Sequence, residues 1–186
     1  MPDDLRTLAR RLASDRDSAF PDLVRSLHGP VFSGALRLTG SHHDAEEVTQ
    51  DAFVRAYKAL DRYPPQQVRD LQLRPWLWTI ALNLCRNRAR SRTRRPATSS
   101  LDQHAEPIDE TSTEAAALDA VDDTWQRRLA ALPDSMRTAI VLRHVVGLSY
   151  DEIAAAVDRP AGTVKSDVHR GLERLRTALT TEGALT

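Results

Sequence analysis

Apolar residues recur every third or fourth position along most of this chain, and the runs they make predict helices. Phe20, Leu23, Val24, Leu27 and Val31 fall on one side of a first long helix, and Phe32, Ala35, Leu36 and Leu38 continue the pattern. Gly29-Pro30 predicts a kink or a split in it, because proline lacks the backbone donor. "TGSHHD" reads as a turn, and a second helix is expected from about Asp44 to Leu60, with Val48, Ala52, Phe53, Ala56 and Leu60 inward. The stretch Asp61–Arg74 reads as a loop, since Pro64 and Pro65 cannot both lie inside a helix. A third helix is expected from Pro75, suited to a first turn, to about Arg92, burying Leu77, Ile80, Ala81 and Leu84.

After "RRPATSSLDQHAEPIDETSTEAAALD", polar and proline-containing, helical spacing returns near Val121. A turn at Leu132-Pro133-Asp134, a new start at "LSYDEIAAAV" after "SMRTAIVLRHVVG", and a break at "DRPAG" divide residues 121–180 into a small bundle of four helices. Ser149 and Glu152 have the spacing of a capping box at the start of a short helix. A helix, a turn of three or four residues and a second helix is the arrangement that holds a reading helix in the major groove. In the last helix Val164, Val168, Leu172, Leu175 and Leu179 share one stripe. Thr163, Ser166, Arg170 and Arg174 lie opposite, flanked by Lys165 and His169 on one side and by Asp167 on the other.

The fold class expected is all-α: two small helical domains joined by a flexible linker. The boundaries expected are a tail over 1–18, a first body over 19–95, the linker over 96–120, a second body over 121–180 and a tail over 181–186. Ala, Leu and Arg dominate the composition, which favours helix. The single cysteine, Cys85, excludes an internal disulfide and any multi-cysteine zinc site, and reads as core. The N-terminus carries charges throughout and has no apolar signal region. No aliphatic run approaches a membrane span, so no membrane insertion is expected and a cytoplasmic location is.

The formal net charge is zero, yet the charges are segregated. Residues 1–60 carry −1, 61–95 carry +7, 96–124 carry −8 and 125–186 carry +2. Such segregation implies separate partners for separate segments. On the second helix Asp44, Glu47 and Asp51 line an outer side with Gln50 nearby. Glu47 and Asp51 repel each other at i,i+4, an arrangement that makes sense where a basic partner docks. On the third helix Thr79, Asn83, Arg86, Asn87 and Arg90 form one polar strip, with Trp76 at the edge of the core stripe. Residues 86–95 hold six arginines and no acid, and aromatic faces beside a cationic strip suit stacked single-stranded bases. Asp167 has two readings: it accepts from a cytosine amino group, or it pairs along the helix with Arg170 or Arg174 and fixes an arginine that reads. Both predict that it narrows sequence choice without adding affinity. No Gly-rich phosphate loop and no nucleophile–base constellation occurs, so no cofactor and no enzymatic activity are expected. His42-His43 with Glu46 and Glu47 is read as a solvated helix start in preference to a metal site.

Taken together, "LTGSHHDAEEVTQDAFVRAYKAL", "RPWLWTIALNLCRN" with its basic end, the acidic linker and "LPDSMRTAIVLRHVVGLSYDEIAAAVDRPAGTVKSDVHRGLERLR" closely resemble the extracytoplasmic-function sigma factors of bacterial RNA polymerase. The resemblance covers about residues 19–180. It implies that the helix with Glu47, Gln50 and Asp51 docks on the basic coiled coil of the polymerase clamp. It implies that Asn83, Trp76 and the basic helix melt and hold the non-template strand of the minus-ten promoter element, and that the Asp61–Arg74 loop captures a flipped base. Lys165, Ser166, His169 and Arg170 match the positions that read the minus-thirty-five element. The resemblance further implies that the C-terminal apolar surface grips the flap tip, that the linker threads the polymerase channels, and that an anti-sigma factor holds the protein inactive. The chain departs from the family's usual pattern at Leu82 and Asp167, where arginine is usual, at Asp158, often glycine, and at Arg86-Asn87-Arg88, where an aspartate is usual. A stand-alone helix-turn-helix regulator is the alternative, and it leaves the N-terminal block unexplained.

Overall fold

The computed structural model describes residues 2–94 and 124–183, and the described residues are helical with short connections and no strand. In chain order the elements are α1 (Pro2–Ser14), α2 (Arg16–Thr39), α3 (His42–Leu60), α4 (Pro65–Asp70) and α5 (Leu73–Arg94). They are followed by α6 (residues 124–130), α7 (Asp134–Ile140), a π-helical turn (Val141–Val145), α8 (Tyr150–Val157) and α9 (Ala161–Gly183). The expected linker falls on residues outside those described.

Local chemistry sets most boundaries. Asp15 caps α2 through the Ser18 amide, and Ser41 caps α3 through the Asp44 amide. Gly40, at φ 69°, ends α2 in the left-handed region, where a Cβ is costly. Ser149 and Glu152 form the capping box read from the sequence, and Asp158 closes α8 in the left-handed region at φ 53°. Asp tolerates that conformation better than most residues, so the turn keeps its shape without glycine.

Three expectations are corrected. Residues 2–14, read as tail, form α1, which packs on α2 and α4 and buries Leu8, Ala9 and Leu12. Three apolar residues on one side of a short helix sufficed once α2 and α4 were there to receive them. Gly29-Pro30 does not split α2, which runs through both Pro21 and Pro30. Both prolines lie on its exposed side, where water can take the carbonyls they leave unbonded. The Asp61–Arg74 loop contains α4, with Pro65 at its first position, where the missing donor is not needed.

The larger departure concerns the two bodies. The sequence reads them as separate, whereas here they share one core. Val146, Leu148, Ile153, Ala156, Val164 and Val168 of the C-terminal body belong to the same buried cluster as Leu77, Trp78 and Leu82 of α5. The Trp78 ring lies beside Gly34 of α2 and Val146, and Leu82, one turn on along the same side of α5, is 2% exposed. α8 packs along α5, and the π-helical turn packs on α2. Polar contacts cross the seam in both directions. Arg74 donates to the Val146 and Gly147 carbonyls at 3.0 and 3.1 Å and reaches Glu152 Oε1 at 3.5 Å. Gln126 Nε2 donates to the Arg37 carbonyl at 3.0 Å. Each body thus satisfies carbonyls at the end of a helix of the other, groups that helices leave without internal partners.

A methyl group on Gly34 would overlap the Trp78 ring and sit 2.8 Å from Val146 Cγ2. Gly34→Ala is therefore expected to destabilise the fold by roughly 1–3 kcal/mol through overpacking at the seam. Urea unfolding monitored by tryptophan fluorescence checks this.

Candidate nucleic-acid interface

Three charged surfaces were expected, and each is built differently from its simplest reading. On α3, Gln50 and Asp51 are exposed and Glu47 is half-buried, but Asp44 is buried, with 9% of its surface exposed. The reason is Arg88, which arrives from α5. Its guanidinium donates to Asp44 Oδ1 at 3.3 Å and to Glu47 Oε2, and its other nitrogen lies 4.0 Å from Asp51 Oδ2. Repulsion between Glu47 and Asp51 is thus relieved in part from inside the chain, by a cation that no spacing within α3 could reveal. Asp44 is an internal residue of this cluster and does not lie on the outer side.

On α5 the polar strip runs along a side that neither the core nor the C-terminal body occupies. Thr79, Asn83, Asn87 and Arg90 are exposed and Arg86 is half-buried. Trp76 is half-buried at the strip's edge, its ring 6.3 Å from that of Tyr63. Trp78, by contrast, is core. The strip's inner border touches the second body: the Thr79 hydroxyl donates to the Pro75 carbonyl at 3.0 Å and lies 3.4 Å from the Ala156 carbonyl of α8. Leu82, one of the departures from the family pattern, faces the seam, which accounts for an apolar residue there.

Cys85 is also buried, 8% exposed. Burial in apolar surroundings pushes its thiol from 9.0 up to about 12, because a thiolate there would lose its hydration.

On α9, Lys165, His169 and Arg170 are exposed, and Thr163 and Ser166 are half-buried. Ser166 Oγ donates to the Gly162 carbonyl at 2.9 Å, and His169 Nε2 lies 3.4 Å from Glu173 Oε1. Val164, Val168 and Leu175 are buried, whereas Leu172 and Leu179 stay exposed, at 39% and 44%. Asp167 is the clear correction. It is buried, with 5% of its surface exposed, and its carboxylate takes a hydrogen bond at 2.6 Å from Arg159 Nη1. It is therefore not placed to accept from a cytosine, and its partner is neither Arg170 nor Arg174. An arginine eight residues back, across the turn, lay outside any helical spacing that sequence reasoning could apply.

The family comparisons agree with this architecture. The family model for Sigma-70 region 2 matches residues 23–95, and that for Sigma-70, region 4 matches residues 123–175. The RNA polymerase sigma-H factor of Pseudomonas aeruginosa is 31% identical over 181 residues, 92% of each chain. The ECF RNA polymerase sigma factor SigW of Bacillus subtilis is 33% identical over 174 residues, 89% of this chain and 90% of its own. The ECF RNA polymerase sigma-E factor of Escherichia coli is 33% identical over 183 residues, 91% of each. Among solved structures, CnrH in complex with the cytosolic domain of CnrY superposes with a TM-score of 0.72 at 29% identity, over 95% of this chain and 97% of that one. The sigma factor RpoE in complex with the anti-sigma factor NepR from Bartonella quintana gives 0.66 at 26%, over 87% and 96%. The chain belongs to the extracytoplasmic-function sigma factors of RNA polymerase, within the sigma-70 family. A stand-alone regulator is not favoured, because the region 2 match covers the N-terminal body. Among the described residues no helix is long and apolar enough to cross a membrane.

The raised Cys85 pKa carries a sign. The folded chain holds the neutral thiol, so its contribution is fully present below pH 9, where the unfolded thiol is also protonated. It is lost as pH rises toward 12, as the unfolded state ionises and the folded one does not. Urea midpoints are expected to fall between pH 8 and pH 10.5 by more in the wild type than in Cys85→Ala. The same thiol is expected to resist aromatic disulfide reagents at pH 8 until the chain unfolds.

Proposed function

We propose that three surfaces divide the work of promoter recognition and opening. Glu47, Gln50 and Asp51 of α3 dock on the basic coiled coil of the polymerase clamp, with Arg88 and Asp44 setting the carboxylates from beneath. Asn83, Thr79, Arg86, Asn87 and Arg90, with Trp76 beside them, take the melted non-template strand of the minus-ten element. Lys165, Ser166, His169 and Arg170, with Thr163, enter the major groove of the minus-thirty-five element. The observation that carries this reading is the α5 strip, where Asn83, Asn87 and Arg90 stay exposed while Leu77, Trp78, Ala81, Leu82 and Leu84 of the same helix are buried. Extracting a base costs a few kcal/mol, and stacking on an aromatic returns about 1–3 kcal/mol per base, so opening needs no nucleotide hydrolysis by this chain.

The proposed bodies are residues 19–95, extended by α1, and 121–180, with the anionic segment 96–120 occupying polymerase channels between them. The protein acts in the cell interior as an initiation factor and catalyses nothing itself. The exposed Leu172 and Leu179 are the apolar surface offered to the flap tip. The complex of the Bartonella RpoE with its anti-sigma factor supports an anti-sigma partner here as well.

The shared core adds a requirement. Elements about 25 base pairs apart are separated by about 85 Å of duplex at 3.4 Å per base pair. A compact body of this length has a diameter of about 40 Å. The closed arrangement cannot read both at once, so polymerase binding must part α8 from α5 and select the open state.

Run-off transcription with purified core polymerase over a promoter library tests the assignment. Defined start sites are expected for the wild type, and Asn83→Ala is expected to lower open-complex formation about tenfold while core binding persists. Failure to associate with core polymerase would refute it. Dyes placed on α3 and α9 are expected to lie within about 40 Å in the free protein and beyond that in the holoenzyme; an unchanged distance would contradict the opening step.

A further inference from the structure

Arg159 has no role among the surfaces above, yet its surroundings hold it closely. It stands in the turn between α8 and α9, and its amide bonds back to the Ala154 carbonyl at 3.1 Å. Asp158 before it is left-handed, and Pro160 after it fixes φ, so the backbone leaves little freedom to the residue between. Its guanidinium is held at 2.6 Å by Asp167, whose side chain is 8% exposed, while the Arg159 side chain remains 38% exposed.

That asymmetry is informative. A carboxylate so far removed from water needs a counter-charge. A guanidinium has five donors, and Asp167 Oδ2 takes one at Nη1, so other donors remain on a side chain that is still 38% exposed. Asp167 follows Thr163 by one turn and precedes Arg170 by three residues, which places the held guanidinium beside the strip of α9 proposed to read DNA. The N-terminal part of the second helix of such a motif is the part that meets base edges. The guanidinium is also pre-oriented, and fixed orientation is what distinguishes reading a base from attracting a phosphate.

We propose that Arg159 is a specificity-determining residue of minus-thirty-five recognition and that Asp167 is its positioning residue. Arg159 presents its outward donors to one base pair at the edge of the element, a guanine with its O6 and N7 acceptors being the base that suits a planar fork. Asp167 contributes no contact of its own to DNA. The inference rests on the reading of α9 as the major-groove helix, and the test separates the two.

Holoenzyme assembled with purified core polymerase is selected against a duplex library randomised through the minus-thirty-five element, at two salt concentrations. Arg159→Ala and Arg159→Lys are each expected to lose about tenfold or more of the preference at one base pair, while preferences at the other positions persist. Arg159→Lys keeps the charge, so its salt dependence should match that of the wild type, which a phosphate contact or a purely structural role would not produce together with lost preference. Asp167→Asn is expected to relax the same base pair and no other. Thermal melts of each variant monitor folding, and Arg159→Lys is the arm that keeps an ion pair to Asp167 available. Unchanged preference at every position in Arg159→Lys and Arg159→Ala, with a selective wild type, would overturn the role of Arg159 and leave the α9 reading standing. A uniform loss of affinity with a shallower salt slope would also overturn it, as phosphate binding. A wild type with no preference over the element would overturn both.

Discussion

A single helix, α5, is used on every side, and the structure depends on that. Successive residues turn by about 100°, so its 22 residues can face four environments at once. Leu77, Ala81, Leu82 and Leu84 enter the core, Trp78 lies beside Gly34 and Val146 where the C-terminal body meets it, Arg88 reaches across to the acids of α3, and Asn83, Asn87 and Arg90 face outward. Exchanging a buried assignment with an exposed one would bury a polar group or expose an apolar one. The order of residues along α5 therefore fixes where each partner can lie.

The two bodies meet through the same logic. Neither α5 nor α8 has enough partners inside its own body to cover its apolar residues, and each covers the other. Burial of that kind is non-directional, but the polar contacts are not. Arg74 reaches the carbonyls that end the π-helical turn, and Gln126 reaches those that end α2. These directed bonds select one docking angle from the many that apolar contact alone would allow.

Charge is managed by pairing across elements. Arg88 serves the α3 acids, and Arg159 serves Asp167. In each case a carboxylate that looked outward in the sequence is drawn inward by an arginine supplied from elsewhere. The acids left exposed, Asp51 above all, are then the ones available to another protein. On α9, Lys165 and Arg170 are exposed cations.

Much of this was legible from residue order. Most of the helices followed from apolar spacing, and some of their ends from the "TGSHHD" turn, the Ser149–Glu152 box and the "DRPAG" break, because caps and periodicity depend on neighbours within a few residues. The polar strip of α5 and the polar side of α9 were visible for the same reason. α1 was read as tail because its three buried residues mean little without the α2 and α4 surfaces that receive them. Arg88, Arg74 and Arg159 lay beyond sequence reasoning, since an ion pair or cap formed across 44, 72 or 8 residues leaves no periodic trace. Sequence by itself determined the long helices, most of the apolar residues they turn inward and the family they resemble. Only the tertiary structure decided that the two bodies close on one another and which acids are left to solvent, because those outcomes depend on distances in space between side chains that the chain order keeps apart.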